Sequence, residues 1–298
     1  MRKFLYALAF VTLFTSVAVH AAGDAYYINM HGIEMTEAEY HNLQELGFTE
    51  TQIERMDYQT YVDNKDIEAT LLSVTSQLVH VTTTIRNGIV TRHSEIVTEE
   101  EMNSAMLQNG LQPPVSPNFS GDFYDGMSED VYRHIETYIV YINDWTMRYK
   151  INMDWLQMPS VRSWDIMAIG IEANKVQIVS SLVARQDWYT NNDSYDSESY
   201  MEKYESTGGT VMFELPSGSI TGLESYMYFN VGKKPGVDTV SSLYAVGDYA
   251  HAISTISDED DAIEYVSTNY ITGIEVDTPY ANSYDSMIEA VAAFFGTW

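Results

Sequence analysis

The sequence of 298 residues contains no cysteine. That absence excludes disulfides, thiolate metal sites, a cysteine nucleophile and the modified cysteine of a bacterial lipoprotein. Stability must come from a core, and the chain is long enough to build one. Basic residues are scarce: 15 Lys and Arg stand against 43 Asp and Glu, a formal charge of −28. Such a surface repels phosphate backbones and anionic membranes, so no nucleic-acid partner is expected. The acidity fits solubility or a salty medium, with calcium or a cationic target as sharper alternatives. Catalytic signatures are missing too: HExxH, GxSxG, SxxK, the Walker loop and GxGxxG do not occur. His31, His41, His80, His93, His134 and His251 lack metal-ligand spacing, so no metal site is expected.

What is present begins with MRKFLYALAFVTLFTSVAVHAA. Arg2 and Lys3 precede an apolar run from Phe4 to Val19 and then small residues, the three parts of a secretory signal. Residues 1–21 read as the signal peptide, because cleavage after Ala21 leaves Val19 and Ala21 where the peptidase reads. The run is shorter than the ~20 residues that cross a bilayer, so no stable membrane anchor is expected. Removing Arg2 and Lys3 takes the charge to about −30. Export without cysteine fits a secreted, extracellular protein from a bacterium.

The stretch IEMTEAEYHNLQELGFTETQIERM carries a helix-start signal twice. Thr36 with Glu39 and Thr49 with Gln52 form capping boxes, and Met35/Tyr40 and Phe48/Ile53 form hydrophobic staples. Gly47 stands where a left-handed residue ends a helix. Residues 22–66 thus predict a helical hairpin whose second helix ends near Asp63 and Asn64. Residues 67–298 read as a β-sandwich body. Asn87-Gly88 between β-branched runs predicts a hairpin within Thr70 to Val97, and residues 109–130 a loop or linker. Met147 to Trp155 alternates, with Met147, Tyr149, Ile151 and Met153 on one face and Arg148, Lys150, Asn152 and Asp154 on a solvated one. Trp164 to Ile171 reads as a central strand, followed by strands near 176–189, 210–215, 226–231 and 240–252. Tyr284 to Phe295 has helical composition, with Ser283 or Asp285 as its cap. The expected fold is mainly β (α+β): an antiparallel β-sandwich with an N-terminal helical hairpin and a short C-terminal helix.

Acidic loops hold Asp122, Asp125, Glu129 and Asp130, then Asp193, Asp196 and Glu198, then Asp258 to Asp261. None has EF-hand spacing, so no cofactor is expected beyond adventitious Ca2+. Trp145, Trp155 and Trp164 lie in the densest aromatic segment, either a platform for sugar or peptide or the lining of a core. Arg162, Trp164 and Asp165, with Trp155, are the candidate binding residues; a structural ion pair is the competing reading.

MPSVRSWDIMAIGIE, GGTVMFELPSGSITGLESYMYFNVG, YAHA at Tyr249 and YDSM at Tyr284 resemble an uncharacterised family of exported proteins from Gram-positive bacteria. The resemblance implies export and a mainly-β body, and carries no activity. The expected function is that of a secreted, non-enzymatic binding protein for an extracellular ligand or protein. One alternative is a membrane-active or pore-forming protein using the Ser/Thr-rich hairpin. Another is an extracellular hydrolase using paired carboxylates.

Overall fold

The computed structural model describes residues 26–87, 89–108, 128–190, 194–197, 200–285 and 288–298. The expected signal peptide and nearly all of the proline-rich segment lie outside the described residues, as do Asp122, Asp125, Asp193 and Glu198.

The N-terminal capping signals act as their spacing dictates. A ribbon of β1 (Tyr26–Ile28) and β2 (Glu34–Thr36) leads into α1 (Glu37–Glu45). Thr36 Oγ1 accepts from Glu39 N at 3.2 Å, and Glu39 Oε2 accepts from Thr36 N at 2.8 Å. Gly47, at φ +85°, ends the turn after α1, and Thr49 and Gln52 repeat the reciprocal cap at α2 (Glu50–Glu54). The expected hairpin is corrected at Arg55, where α2 stops. Asp57 starts a separate α3 (Tyr58–Asn64), its Oδ1 accepting from Thr60 N at 2.8 Å. A carboxylate that caps a new helix competes with continuation of the old one, so three short helices replace two.

The body is antiparallel. β3 (Thr70–Arg86) and β4 (Ile89–Val97) form the expected hairpin, with Arg86 opposite Ile89 and Asn87 at φ +53°. After α4 (Glu99–Gln108) come β5 (Ser128–Asn143), β6 (Thr146–Trp155), β7 (Trp164–Ile171), β8 (Val176–Ile178) and β9 (Val183–Tyr189). They are followed by β10 (Ser194–Ser197), β11 (Tyr200–Glu205), β12 (Gly208–Glu214), β13 (Gly222–Lys233) and β14 (Ser242–Ala250). α5 (Glu259–Glu264), β15 (Val266–Asn269), β16 (Gly273–Val276) and β17 (Ala290–Phe295) complete the order. An eight-stranded sheet runs β10-β9-β13-β6-β5-β3-β4 with β8 on β13, and a five-stranded one runs β11-β12-β7-β14-β17. Strand makes up 52% of the described residues against 16% helix, so the protein is mainly β.

Tyr149, Ile151 and Met153 of β6 meet Met167 and Ile169 of β7 and Phe229 of β13 in one core between the sheets. The antiparallel sheets include a curled half-barrel. β3 reaches β17: Thr75 Oγ1 donates to Val291 O at 2.7 Å, and Ser73 Oγ accepts from Ala293 N at 3.2 Å. Outside the small sheet, Ile166, Met212 and Ala250 bury Ile263 of α5, Val266 of β15 and Ile274 of β16. Among the described residues no helix is long and apolar enough to cross a membrane.

Two further expectations are corrected. The polar face of β6 is not solvated. α1 to α3 cover it, burying Arg148, Lys150 and Asn152. Lys150 Nζ donates to Gly47 O at 2.6 Å and Gln52 Oε1 at 2.8 Å, beside the rings of Phe48 and Tyr226. Arg148 reaches Asn64 Oδ1 at 2.6 Å and lies over Tyr228. A two-period pattern shows only that one face is polar; the helical layer satisfies those polar groups itself. The expected C-terminal helix is a strand over Ala290–Phe295, added to the edge of β14. Ala290 and Ala292 face the core while Val291 faces out, so burial on one face of a sheet overrides helical propensity.

Candidate functional site

The structure separates the four residues picked from the sequence. Arg162 pins two loops, Nε donating to Pro159 O at 2.8 Å and Nη1 to Pro216 O at 3.1 Å. Trp164, half-buried, packs against the cluster outside the small sheet. Trp155 and Asp165 meet through Tyr249. The Tyr249 hydroxyl donates to Asp165 Oδ2 at 2.6 Å and accepts from Trp155 Nε1 at 3.3 Å.

Around this bridge lies a buried polar network. Asp165 is the second residue of β7 and sits beside the end of β14, so its carboxylate receives His251 Nδ1 at 2.9 Å and the main-chain N–H of Ala252 at 2.9 Å. Asp285 accepts from His251 N at 2.9 Å and pairs with Arg133 of β5 at 3.0 Å. Burial pushes the Asp285 carboxyl up against the opposing pull of Arg133. Burial, with the Asp165 carboxylate next to it, pushes the Tyr249 phenol well above its ordinary value. A histidine held by a carboxylate is the orienting half of a catalytic triad. Here Asp165 is 0% and His251 1% exposed, so no substrate reaches them from solvent. The network fastens β5, β6, β7, β14 and the segment before β17 together. YAHA and YDSM, noticed as a resemblance, supply Tyr249, His251 and Asp285; nothing in their spacing tells that they converge.

A second group crosses the outer face of the large sheet. Register places Asp187, Glu224, Asp154 and His134 side by side on β9, β13, β6 and β5. Burial, then Asp154, pushes Glu224 up to about 7. Tyr189 donates to Glu224 Oε1 at 3.5 Å, and Arg55 of the helical layer lies 4.0 Å over the Tyr189 ring. Among the described residues Asp154 Oδ1 is buried with no hydrogen-bond partner.

An open concavity lies at the opposite end of β6. The register pair Thr146 and Gly232 places the β5–β6 turn beside the chain leaving β13. There Lys234-Pro235-Gly236-Val237 forms a turn, with Val237 N donating to Lys234 O at 3.0 Å and Gly236 at φ +87°. Trp298 forms a floor, its Nε1 donating to Asn143 O at 3.2 Å. The groove between them measures about 880 Å³. Trp145 stands at its rim, 77% exposed, with its main-chain N–H fixed by Asn143 Oδ1 at 2.9 Å. Tyr141 donates to Asp144 Oδ1 at 2.8 Å, and Lys233 Nζ lies 5.2 Å over the Trp298 ring. Trp145 was in view in the sequence as one of three tryptophans. Its position in a tight turn after Asn143 and Asp144 was the signal that it would be left outside.

No protein-family model matches the chain, and no curated protein does. Among solved structures the chain is similar to the collagen-binding domain of the surface protein RspB from Erysipelothrix rhusiopathiae. The likeness is at 9% identity and a TM-score of 0.27, and it spans 56% of this chain and 66% of that one, under two thirds of its length.

Proposed function

We propose that the protein is a secreted, acidic, non-enzymatic binding protein that takes an extracellular ligand in the groove beside Trp145. In this reading the body is an antiparallel β-sandwich, curled at one side, that serves as a rigid support. The observation that carries it is the exposure of Trp145. Trp155 and Trp298 are buried in the same molecule, and leaving an indole in water forgoes about 25 cal/mol for each Å² of apolar surface. An aromatic held outside by a fixed turn, over a concavity with charged groups of both signs, is what a binding site requires. The test compares the full mature chain with Trp145→Ala on glycan and peptide arrays and on cell-surface preparations. Binding lost in the variant at unchanged thermal midpoint supports the reading. Turnover of a substrate panel without any such binding overturns it.

A second reading, an extracellular hydrolase, has one observation in its favour. Asp154 and Glu224 are register partners, and Glu224 holds a proton to about pH 7. Glycoside cleavage abolished by Glu224→Gln would establish it; its absence across a glycoside panel dismisses it.

A further inference from the structure

We infer that the groove ligand is a basic polypeptide, bound through an arginine side chain that lies on the face of Trp145. The inference rests on the binding reading above and names its ligand class. Three observations lead to it.

The first concerns charge. Lys234 is part of the lining, but its Nζ donates to Ala173 O at 2.7 Å, and Ala173 belongs to a separate hollow. The ammonium left to the groove is that of Lys233, and it stands against two carboxylates, Asp144 and Asp238. The groove is therefore net negative, in a chain of charge −28, and its complement is a cation. Both carboxylates keep room for one. Asp144 accepts from Tyr141 at 2.8 Å, a single bond among several lone pairs, and Lys233 bonds the main-chain oxygen of Asp238 at 3.3 Å.

The second concerns aromatic faces. The protein rests its own cations on rings: Lys233 Nζ lies 5.2 Å over Trp298 in the groove, Arg148 4.2 Å over Tyr228 and Arg55 4.0 Å over Tyr189. Indole attracts a cation more strongly than the other aromatic rings. Trp145 is 77% exposed, and among the described residues no cation lies over it. A guanidinium suits this place better than an ammonium. It is flat, so it stacks on the ring while its N–H groups point outward in its own plane, towards carboxylates at the rim.

The third concerns shape. β5, β6 and β13 each have a strand on both sides, so the groove offers no free strand edge for a peptide main chain. Recognition falls to a projecting side chain. A free small molecule needs most of its surface enclosed, whereas a ring standing out at a rim meets a side chain carried by a larger partner.

The experiment is calorimetric titration of the full mature chain with a Gly/Ser nonapeptide bearing arginine at every third position. Its citrulline counterpart, which keeps the shape and loses the charge, is run beside it at low and physiological salt. The variants are Trp145→Ala, Asp144→Asn/Asp238→Asn and, as a control for diffuse attraction to a polyanion, Glu99→Gln/Glu100→Gln on α4, outside the groove. Thermal midpoints confirm that each folds. The arginine peptide should bind at least about tenfold tighter than the citrulline peptide and weaken with salt. Trp145→Ala and the groove pair should each weaken it at least about fivefold, and the α4 pair less than about twofold. Equal binding of the two peptides, equal loss from the groove and α4 pairs, or Trp145-dependent binding of a glycan alone overturns the arginine inference and leaves the groove reading standing. If no array or surface preparation binds in a Trp145-dependent way, both fall.

Discussion

Asp165 and His251 lie 86 positions apart in the chain, and their side chains meet at 2.9 Å in the interior. The carboxylate is also the acceptor for Tyr249 and for the N–H of Ala252, so removing it leaves several buried donors without a partner. Asp165→Ala should lower the unfolding free energy by about 3–5 kcal/mol, measured by urea denaturation. A loss under about 1 kcal/mol would mean that water or a neighbour replaces it.

Arg133 and Asp285 allow a stricter test of the same network. Each single replacement strands a buried charge, whereas replacing both by apolar residues strands neither. Arg133→Met and Asp285→Leu should each cost about 3 kcal/mol, and the double variant less than their sum by about 2 kcal/mol. Additive costs in a double-mutant cycle would show that the two groups are not coupled.

The pH dependence of stability follows from Glu224 and Asp248. Both are pushed up to about 7 by burial, from 4.5 and 3.8. A carboxyl whose folded pKa is raised binds its proton more tightly in the native state. Its stabilising share is complete below the unfolded pKa and is lost as pH rises towards 7. The chain should be more stable near about pH 5 than near about pH 8, by about 2–3 kcal/mol for each group. Glu224→Gln should flatten this slope and stabilise the protein at the higher pH, its amide donating to the unpartnered Asp154 Oδ1. A variant less stable than the parent at pH 8 would refute this account of Glu224.

Lys150 holds the helical layer to the sheet. Burial holds its ammonium well below the ordinary lysine value, and among the described residues no carboxylate touches it. Lys150→Met removes the shorter bond to Gly47 O and to the Gln52 amide oxygen, leaving them only the longer ones from Asn152 Nδ2 at 3.1 Å and Thr49 N at 3.3 Å. It should destabilise the fold by about 1–3 kcal/mol and speed hydrogen exchange in residues 34–64 ahead of the sheets. Uniform acceleration across both sheets would show that the layer and the body unfold as one unit.

Much of this architecture was legible because it is local. Both capping boxes, the Asn87-Gly88 hairpin, the strand period of β6 and the continuous apolar run of β7 depend on residues a few positions apart. The break at Arg55 was legible in principle, since Asp57 with Thr60 at N3 is a cap, but it was hidden within an apolar period that runs on to Tyr61. What failed was partner identity. Arg148, Lys150 and Asn152 alternate as a wetted face does, and only the three-dimensional placement of Gly47, Gln52 and Asn64 tells that other protein groups do the wetting. Ala290–Phe295 has a helical composition because alanine is the best helix former; its register with Ser242–Gly247 made it a strand. Of the four candidate residues, Asp165 and Trp155 were chosen for chemistry and found in a structural network. The groove lies with Trp145, whose neighbours come from three distant parts of the chain.

The contact between β3 and β17 has a consequence for how the molecule is made. Ser73 and Thr75 are among the first strand residues to be synthesised, and Val291 and Ala293 belong to the last strand. β4 and β5 pair with β3 early, but a growing chain carries Ser73 and Thr75 for more than two hundred residues of synthesis before β17 exists. Closure at such separation is slow, and until it happens the open sheet margin can pair with another copy. Aggregation during production should accordingly depend less on overall stability than on how long the chain waits for its final strand.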